Sequence, residues 1–238
     1  MKAVLLAAGK GTRLKPLTDN IPKVMIPING KPILEYHIEQ LAETEVREVF
    51  INLHHLPKKI KAYFQDGRKW GLNIQYSYES EILGTAGAVK KLENKLGKEP
   101  FLVVYGDNFL DINYKDFVGC AQSNNGIGTV VVFNKEDVPG CGILDIGENN
   151  RVIRFKEKPA EDEIFSNWVS AGVFYFRKKI FKYIDPGFSD FGFDVLPRIL
   201  DRKERLFAYK LNSEVLAVDR LELLTELRKQ KSNVRKFR

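Results

Sequence analysis

Residues 3–13 read AVLLAAGKGTR, and this stretch decides the fold. Val4 to Ala8 is a short apolar run that stops at a glycine, which is typical of a buried β-strand followed by a loop. After the loop, Ile33 to Leu41 carries apolar residues at helical spacing. The order of strand, loop and helix predicts the first unit of an α/β fold.

The alternation of strands and helices continues through the first half of the chain. The further predicted elements are strand Val49–Leu53, helix Pro57–Phe64, strand Ile74–Tyr78, helix Gly84–Leu96 and strand Phe101–Tyr105. Such an order predicts a mostly parallel sheet with helices on both faces, where ligands bind beyond the carboxyl ends of the strands. Gly9 and Asp107 both fall at such ends.

The second half is richer in β-branched and aromatic runs. We expect these runs to add mixed or antiparallel strands to the same sheet, because no Pro-, Gly- or Ser-rich linker separates the halves. The predicted strands are Gly128–Phe133, Gly142–Asp145, Val152–Phe155 and Gly172–Phe176, and a closing helix is predicted over Leu221–Lys231. The whole chain, 1–238, is therefore predicted to be one domain with a Rossmann-like, three-layer α/β fold and a mostly parallel mixed central sheet.

Composition limits the classes of protein that this chain can belong to. The 238 residues are 44% hydrophobic, which suffices for a large core, and the net charge of +7 suits an anionic partner, either nucleic acid or a phosphorylated small molecule. Six of the last eleven residues are Lys or Arg, which we interpret as a solvated helix end. Cys120 and Cys141 lack metal-type spacing and predict a reducing, cytoplasmic setting. Neither an export signal nor an apolar run of the roughly 20 residues that a bilayer requires is recognised, so no membrane partner is expected.

The loop Gly9-Lys10-Gly11-Thr12-Arg13 directly follows the first predicted strand. Its glycines let backbone amides approach a phosphate closely, while Lys10 and Arg13 supply positive charge. The loop lacks the third glycine of the dinucleotide fingerprint and the terminal Gly-Lys-Ser/Thr of the P-loop. It predicts a phosphate-binding loop of another kind, and from the loop residues alone a flexible basic turn stays the alternative.

Six segments carry a pattern that runs from this loop into the second half of the chain. They are GKGTRLKPLT (Gly9–Thr18), PKVMIPINGKPILEY (Pro22–Tyr36), LGTAGAV (Leu83–Val89), YGDN (Tyr105–Asn108), EKP (Glu157–Pro159) and SAGVFYF (Ser170–Phe176). In this order they resemble the signature of the sugar-1-phosphate nucleotidyltransferase family, over essentially the whole chain. The resemblance implies a fold of the nucleotide-diphospho-sugar transferase type and an enzyme that transfers a nucleoside monophosphate from an NTP to a sugar 1-phosphate. Its implied cofactor is Mg²⁺ and its implied partners are an NTP and a sugar 1-phosphate, without nucleic acid; a homo-oligomer stays open.

The resemblance also implies roles for individual residues. The position of Arg13 binds the phosphates that leave as pyrophosphate, that of Lys23 binds near the α-phosphate, and that of Lys158 contacts the sugar phosphate. Such cations suit phosphoryl-group transfer, which asks the protein mainly for positioning and charge neutralisation. The implied Mg²⁺ ligands are Asp107 and Asp219; the other implied nucleotide-binding residues are Ala7, Ala8, Gly9, Lys10, Gly11, Thr12, Glu79, Gly84 and Thr85; and the implied sugar-binding residues are Asn108, Gly142, Glu157, Ala171 and Gly172. Residues 1–110 would form mainly the nucleotide-binding half and residues 111–238 mainly the sugar-phosphate-binding half.

The chain departs from the family pattern at two positions. AVDRLELL around Asp219 replaces the Trp-Asp-Ile-Gly-Thr-Pro run of many relatives, and an N-cap of the last helix is an alternative role for Asp219 that is compatible with ligation. Ser170 stands where many relatives have Asn or Thr, so sugar preference is not carried over. The sequence shows no hexapeptide repeats before its end at Arg238, so one activity is expected.

The nucleotide base is predicted from Glu79, which lies five residues before Gly84 at the family's base-reading position. An ionised carboxylate only accepts hydrogen bonds, so it suits the ring N–H donors of guanine, uracil and thymine better than adenine or cytosine. Guanine can satisfy both carboxylate oxygens, so GTP is slightly favoured, followed by UTP or dTTP. The segment EILGTAGAV is similar to mannose and heptose guanylyltransferases, whereas INLHHLPKKIKAYFQDGRKWGLNIQYSYE is similar to muramate-1-phosphate uridylyltransferase.

Three other functions stay open at this point. They are a cytidylyltransferase acting on another phosphorylated alcohol, a non-catalytic nucleotide-sugar-binding protein, and a nucleic-acid-binding module that the basic charge would suit. The second is expected to have lost Lys23 or Asp107, and both are present. His37, His54 and His55 have no Ser or Cys nucleophile to pair with and are predicted to be packing or surface residues.

Overall fold

The structure, a computed structural model, describes residues 1–213 and 215–218. The strands are β1 (Lys2–Leu6), β2 (Pro27–Ile28), β3 (Lys31–Pro32), β4 (Glu48–Leu53), β5 (Asn73–Tyr78), β6 (Phe101–Tyr105), β7 (Asn108–Leu110), β8 (Gly128–Asn134), β9 (Gly142–Ile146), β10 (Val152–Glu157), β11 (Trp168–Phe176), β12 (Leu206–Leu211) and β13 (Val215–Ala217). The α-helices are α1 (Leu17–Asn20), α2 (Ile33–Ala42), α3 (Pro57–Phe64), α4 (Gly84–Lys90), α5 (Glu93–Leu96), α6 (Tyr114–Ser123) and α7 (Leu196–Asp201), and a π-helix over Phe191–Val195 precedes α7.

Nine strands of the described residues form one central sheet. Its main path runs β10-β9-β11-β6-β1-β4-β5, and β8 joins it by pairing with β11 and β12. Strands β6, β1, β4 and β5 are parallel to one another. Strand β11 is antiparallel to β6, β8 and β9, while β12 is parallel to β8. The predicted α/β fold with a mostly parallel mixed sheet is confirmed, and so is the addition of antiparallel strands by the second half.

Helices cover both faces of the sheet, because side chains of a strand alternate between its faces. In β1, Ala3 and Leu5 pack into a core with α2, α3 and α6, whereas Val4 packs into a second core with α4, α5 and α7. All three side chains are fully buried. The apolar run that opens the sequence is therefore buried on two sides, as expected for a central parallel strand.

Several predicted elements differ from the structure in their bounds; β11, for example, begins at Trp168 rather than Gly172, and two differences have a local cause. Strand β1 ends at Leu6 rather than Ala8, since the backbone N–H of Ala7 donates to Oδ1 of Asn52 over 2.6 Å instead of continuing the ladder. The prediction of one helix over Gly84–Leu96 is wrong, because α4 ends at Lys90 and α5 begins at Glu93. Between them the N–H of Leu92 bonds to the carbonyl of Val89, three residues earlier, which tightens the turn.

The structure also contains elements that the sequence pattern did not predict. Helix α6, helix α7 and strand β12 are present but were not predicted. The helix predicted over Leu221–Lys231 lies outside the described residues. Within the described part, none of the helices is both long enough and apolar enough to cross a membrane.

The parallel strands bring two loops together at one edge of the sheet. Leu6 of β1 lies opposite Tyr105 of β6, so both strands leave the sheet at the same level. The backbone N–H of Gly106 then donates to the carbonyl of Leu6 over 3.0 Å. A Cβ at Gly106 would lie 2.9 Å from that carbonyl oxygen, so only glycine permits the close approach. The loop after β1 therefore lies beside Asp107.

Candidate active site

A cavity of about 530 Å³ opens beyond the carboxyl ends of β1 and β6, and both halves of the sequence line it. The predicted site residues that line it are Ala7, Ala8, Gly9, Arg13, Lys23, Gly84, Thr85, Asp107, Asn108, Gly142, Glu157, Lys158 and Gly172. The predicted site residues Lys10, Gly11, Thr12, Glu79 and Ala171 are not part of its lining, and Asp219 lies outside the described residues. The structure thus brings most of the predicted site into one place.

The glycine-rich loop divides into a part that faces the cavity and a part that supports it. Gly9 and Arg13 face the cavity, whereas the Lys10 side chain is exposed away from its lining. Gly11 has a φ of 63°, and a Cβ there would lie 2.8 Å from Cγ2 of Thr18 and 3.2 Å from Cβ of Lys23. Gly11 therefore lets the loop pack against the segment that carries Lys23.

Lys23 and Asp107 form an ion pair in the lining of the cavity. Nζ of Lys23 lies 2.5 Å from Oδ2 of Asp107, and the two side chains are 12% and 31% exposed. Partial removal from water strengthens such a pair relative to a surface pair. The predicted catalytic lysine and the predicted metal ligand thus neutralise each other in this structure.

A chain of buried hydrogen bonds supports the turn that follows Asp107. Nε2 of His37 lies 2.7 Å from the carbonyl oxygen of Asn108, which can only accept, so this nitrogen carries the proton. Nδ1 then accepts from the hydroxyl of Tyr114 at 3.3 Å. Burial lowers the pKa of His37 to about 4, so the ring is neutral at pH 7. On the other side, Nδ2 of Asn108 donates to the carbonyl of Ala171 over 2.9 Å, which gives Ala171 a supporting role beneath the cavity wall.

The other two histidines also bond to the backbone. Nδ1 of His54 lies 3.0 Å from the carbonyl oxygen of Glu79, and Nε2 of His55 lies 2.8 Å from that of Thr18. None of the three histidines lines the cavity. Their predicted packing role agrees with these contacts.

Glu79 lies behind the cavity wall rather than in it. Its side chain is 1% exposed, and its carboxylate accepts hydrogen bonds from Nδ2 of Asn52 at 2.8 Å and from the N–H of Leu83 at 3.1 Å. Oδ1 of Asn52 in turn accepts from the N–H of Ala7. Asn52 lines the cavity and was not predicted. Glu79 therefore holds Asn52 and the start of the Gly84 loop together.

The hydroxyl of Thr85 is occupied by the protein. It donates to Oδ2 of Asp190 over 2.9 Å and accepts from the N–H of Phe191 over 2.8 Å. Asp190 also lines the cavity, and its Oδ1 accepts from the N–H groups of Gly192 and Phe193. The Thr85 side chain thus joins the predicted nucleotide loop directly to the start of the π-helix.

The Glu157 carboxylate lies against two glycines in the cavity lining. No hydrogen-bond donor among the described residues reaches it. A Cβ at Gly142 would lie 2.5 Å from its Oε2, and one at Gly192 would lie 2.3 Å from it. Burial and the nearby Asp190 raise the pKa of Glu157 to about 7, against a smaller opposing effect of Lys158. A carboxylate held in this way can accept hydrogen bonds from the hydroxyl groups of a ligand.

Lys158 follows in an unusual backbone conformation. Its φ is 44°, in the left-handed region that non-glycine residues rarely adopt. The N–H of Lys158 donates to the carbonyl of Cys141 over 3.0 Å, and its Nζ lies 5.5 Å from the ring centroid of Phe193. Strained positions of this kind concentrate at functional sites.

Several residues of the cavity lining were missed by the sequence analysis. They include Asn52, Tyr105, Phe188, Asp190 and Phe193. Asn52 had a usable signal, because a polar residue inside the apolar run VFINL must find a buried partner. Asp190 had only the weak signal of an N-cap residue before Phe-Gly-Phe.

The sequence profile of the nucleotidyl transferase family matches residues 2–215 of this chain. A UTP–glucose-1-phosphate uridylyltransferase of Synechocystis sp. is 34% identical over 228 residues, covering 90% of this chain and 59% of that protein. Mannose-1-phosphate guanyltransferase 2 of Candida glabrata is 30% identical over 219 residues, covering 89% and 59%. The bifunctional protein GlmU of Methanococcus maripaludis is 35% identical over 185 residues, covering 78% and 42%. The chain thus spans about half the length of these relatives.

Solved structures show the same fold. A UDP-glucose pyrophosphorylase complexed with UDP-glucose superposes with a TM-score of 0.85 at 23% identity, covering 98% of both chains. HddC from Yersinia pseudotuberculosis complexed with GMP-PN superposes with a TM-score of 0.79 at 25% identity, covering 96% of this chain and 98% of that one. With the profile match over nearly its whole described length, this chain belongs to the nucleotidyl transferase family, among relatives named as sugar-1-phosphate nucleotidyltransferases.

Proposed function

We propose that this protein transfers a nucleoside monophosphate from an NTP to a sugar 1-phosphate, giving an NDP-sugar and pyrophosphate. One observation carries the proposal: a single cavity joins the glycine-rich loop, Arg13 and Lys23 to Lys158 and to the Glu157 carboxylate, which has no hydrogen-bond donor among the described residues. The first group suits the phosphates of a nucleotide, and the second suits the hydroxyl groups and phosphate of a sugar phosphate. Both substrates would thus lie in one cavity with their phosphates near Lys23.

In the proposed reaction, a phosphate oxygen of the sugar 1-phosphate attacks the α-phosphorus of the NTP in line. The new bond joins this oxygen to the α-phosphorus, and the bond from the α-phosphorus to the bridging oxygen breaks, so that pyrophosphate leaves with the bonding electrons. No protein nucleophile is required, because the attacking phosphate is already ionised at neutral pH. Lys23 and Arg13 orient the phosphates and neutralise charge on the attacked and leaving groups.

The residues present fit a Mg²⁺ ion. The described residues contain no cluster of three or more His, Cys, Asp or Glu that would hold a metal by themselves. Mg²⁺ at nucleotide sites is usually held by one or two carboxylates together with substrate phosphates, and Asp107 in the cavity lining meets that requirement. We propose Asp107 and Asp219 as its ligands; when bound, the ion would neutralise the α-phosphate and align it for attack. Lys23, paired with Asp107 in this structure, would then be released towards the phosphates.

We keep GTP as the slightly favoured nucleotide, followed by UTP or dTTP. Gly84 lines the cavity. The Glu79 carboxylate lies behind the cavity wall, where Oε1 accepts a hydrogen bond from Asn52 and Oε2 accepts one from the N–H of Leu83. The buried carboxylate does not face the cavity, so it does not itself select the base. Relatives named for UTP and for GTP support the same group of nucleotides.

The setting of the reaction is also a proposal. We place the protein in the cytoplasm, a placement supported by both cysteines being free thiols.

We also propose a division into a nucleotide-binding half, 1–110, and a sugar-phosphate-binding half, 111–238. It is supported by the positions of Arg13 and Lys23 in the first half and of Glu157 and Lys158 in the second.

The test is release of pyrophosphate with Mg²⁺ across a matrix of substrates. GTP, UTP, dTTP, CTP and ATP are combined with glucose, mannose, N-acetylglucosamine, muramate and heptose 1-phosphates. We expect turnover with one pair and a loss of about 100-fold or more in Lys23→Ala and Asp107→Ala, because the first removes a positive charge beside the reacting phosphates and the second removes a proposed Mg²⁺ ligand. Lys31→Ala and Glu39→Ala are matched controls, since these residues form a 2.6 Å ion pair on the surface.

Other outcomes separate the alternatives. Turnover with CTP and a phosphorylated alcohol outside the sugar series would identify a cytidylyltransferase. NTP binding without turnover by any pair would indicate a nucleotide-sugar-binding protein. Absence of both NTP binding and turnover would exclude the proposed reaction.

A further inference from the structure

Apolar side chains stand exposed at the rim of the cavity. Phe188 is 70% exposed and Phe193 is 58% exposed, which makes them the most exposed large hydrophobic side chains among the described residues, and both line the cavity. Exposed aromatic rings that line a cavity mark a contact surface for a ligand, since their burial by a bound molecule is favourable. The nucleotide-transfer chemistry itself makes no use of them.

The backbone of Phe193 is anchored at the start of the π-helix. Phe193 lies in the π-helix Phe191–Val195, and its N–H donates to Oδ1 of the N-cap residue Asp190 over 3.2 Å. Oδ2 of Asp190 accepts from the hydroxyl of Thr85 over 2.9 Å. The exposure of the ring is therefore a property of an anchored turn, and π-helical turns occur frequently at functional sites.

The segment before this turn is docked on helix α4. The carbonyl of Ser189 accepts from the N–H groups of Ala86 and Gly87 at 2.9 Å each, and the N–H of Ser189 donates to the carbonyl of Leu83 over 2.9 Å. These bonds join the Gly84 loop to the Phe193 turn across about 100 residues of sequence. The Gly84 loop and the segment before the Phe193 turn are thus packed against each other, which preorganises this part of the cavity wall.

The groups around the Phe193 ring indicate which kind of ligand it would contact. Gly192, next to Phe193, is in van der Waals contact with the Glu157 carboxylate, since a Cβ there would lie 2.3 Å from Oε2. Nζ of Lys158 lies 5.5 Å from the centroid of the Phe193 ring. The Glu157 carboxylate, the Lys158 ammonium group and the Phe193 ring therefore lie close together in the cavity lining. A pyranose that carries a phosphate offers the matching three groups: hydroxyl groups at its edge, a charged phosphate and a flat C–H face.

We propose that Phe193 determines acceptor specificity by packing its ring against the C–H face of a pyranose, so that the cavity takes cyclic sugar phosphates in preference to open-chain phosphorylated polyols. This inference rests on the proposed function and adds a specificity-determining residue to that site. An open-chain polyol lacks a rigid apolar face and loses more conformational freedom on binding. The Phe193 ring therefore favours cyclic acceptors, while Glu157 and Lys158 bind the hydroxyl and phosphate groups that cyclic and open-chain acceptors share.

The experiment compares the wild type with Phe193→Ala and the conservative Phe193→Tyr. Binding of glucose, mannose and N-acetylglucosamine 1-phosphates and of sorbitol 6-phosphate is measured by titration calorimetry with Mg²⁺, and pyrophosphate release is measured with the active NTP. We expect Phe193→Ala to raise the Kd and KM of the best pyranosyl phosphate about 5- to 10-fold with less than about 2-fold change for the NTP, and Phe193→Tyr to stay within about 2-fold of the wild type. Sorbitol 6-phosphate is expected to bind weakly to all three. Ile153→Ala is the control, because Ile153 is 55% exposed on β10 outside the cavity lining.

Each contrary result has a definite meaning. A wild type that turns over a pyranosyl phosphate, with Phe193→Ala unchanged or with sorbitol 6-phosphate bound equally well, would overturn the role of Phe193 and leave the proposed reaction intact. A wild type that neither binds nor turns over any of the pyranosyl phosphates would overturn both. Pyranosyl phosphate binding that weakens in Phe193→Ala without any turnover would support the acceptor site and contradict the reaction.

Discussion

The Glu157 carboxylate lies between Gly142 and Gly192 and accepts no hydrogen bond from any described residue. Its folded-state pKa of about 7 exceeds the ordinary value of 4.5, chiefly because burial disfavours the charged form. The folded protein therefore holds a proton that the unfolded chain has already lost between these two pH values. Ionised Glu157 lowers stability in the absence of a ligand, which is a common property of binding sites.

The first prediction follows from the sign of this shift. Below pH 4.5 the Glu157 carboxyl group is protonated in the folded and unfolded states and does not change the free energy of unfolding. Its destabilising effect on the folded protein grows as the pH rises to about 7 and is constant above that pH. Glu157→Gln is therefore expected to stabilise the protein at pH 8 by at most about 3 kcal/mol and to have little effect near pH 4.5. Thermal unfolding of the variant and the wild type at both pH values measures the difference.

The control for this prediction is Glu161→Gln, at an exposed residue of the same region. It removes one carboxylate without relieving a buried charge, so its effect on the melting temperature should be small at both pH values. A Glu157→Gln effect that is the same at pH 4.5 and pH 8 would show that the carboxylate is not destabilised by burial.

Residue roles depend on which way a side chain points, and Glu79 and Thr85 illustrate the point. Both are placed in the nucleotide site by resemblance, yet Glu79 bonds to Asn52 and Leu83, and the Thr85 hydroxyl bonds to Asp190 and Phe191. Each therefore supports the wall of the cavity. The backbone near Gly84, which does line the cavity, remains available to a nucleotide.

At the scale of secondary-structure elements, the close contact between α4 and the segment before the π-helix depends on two glycines of α4. A Cβ at Gly87 would lie 2.1 Å from the carbonyl oxygen of Gly187, and one at Gly84 would lie 2.4 Å from that of Ser189. These distances are far below van der Waals contact with backbone atoms that cannot easily move. The element pair can approach closely only because both positions lack a side chain.

The second prediction tests this contact with Gly87→Ala. The added methyl group should displace residues 187–190 from α4 and break the hydrogen bonds of the Ser189 carbonyl, lowering the free energy of unfolding by about 1–3 kcal/mol. Urea unfolding gives the value. Gly119→Ala in α6 is the matched control, because nothing lies within 4 Å of its added Cβ. There the substitution should stabilise the helix by about 0.5–1 kcal/mol. Equal stability of Gly87→Ala and the wild type would contradict the close packing.

At the scale of the whole molecule, the sheet joins the two halves of the sequence. Strand β6, from the first half, is parallel to β1 and antiparallel to β11, which belongs to the second half. The cavity likewise takes its lining from both halves. We therefore expect the halves to unfold together.

The third prediction uses the two tryptophans, Trp70 in the first half and Trp168 in the second. In Trp168→Phe the fluorescence reports on Trp70, and in Trp70→Phe it reports on Trp168. Within each variant, the urea midpoint from fluorescence should coincide with that from far-ultraviolet circular dichroism, because one cooperative unit has one transition. A fluorescence midpoint well below the circular dichroism midpoint in either variant would instead indicate that the half bearing that tryptophan unfolds independently.

The sequence by itself determined the elements whose periodicity is local. The predicted bounds of α3, Pro57–Phe64, and of β6, Phe101–Tyr105, agree with the structure, because apolar spacing and flanking breakers lie within the segments themselves. The glycine-rich loop and Asp107 could also be placed together in advance, since carboxyl ends of parallel strands share one edge.

Only the tertiary structure decided which side chains face the cavity. The Thr85–Asp190 hydrogen bond joins residues 105 positions apart, and the Asn52–Glu79 bond joins two neighbouring strands. Burial of Glu157 between two glycines depends on β9, β10 and the π-helix meeting at one point. Such contacts depend on packing between distant segments and leave no periodic trace in the sequence, so the orientation of Glu79, the part played by Asp190 and the exposed face of Phe193 became visible only in the folded chain.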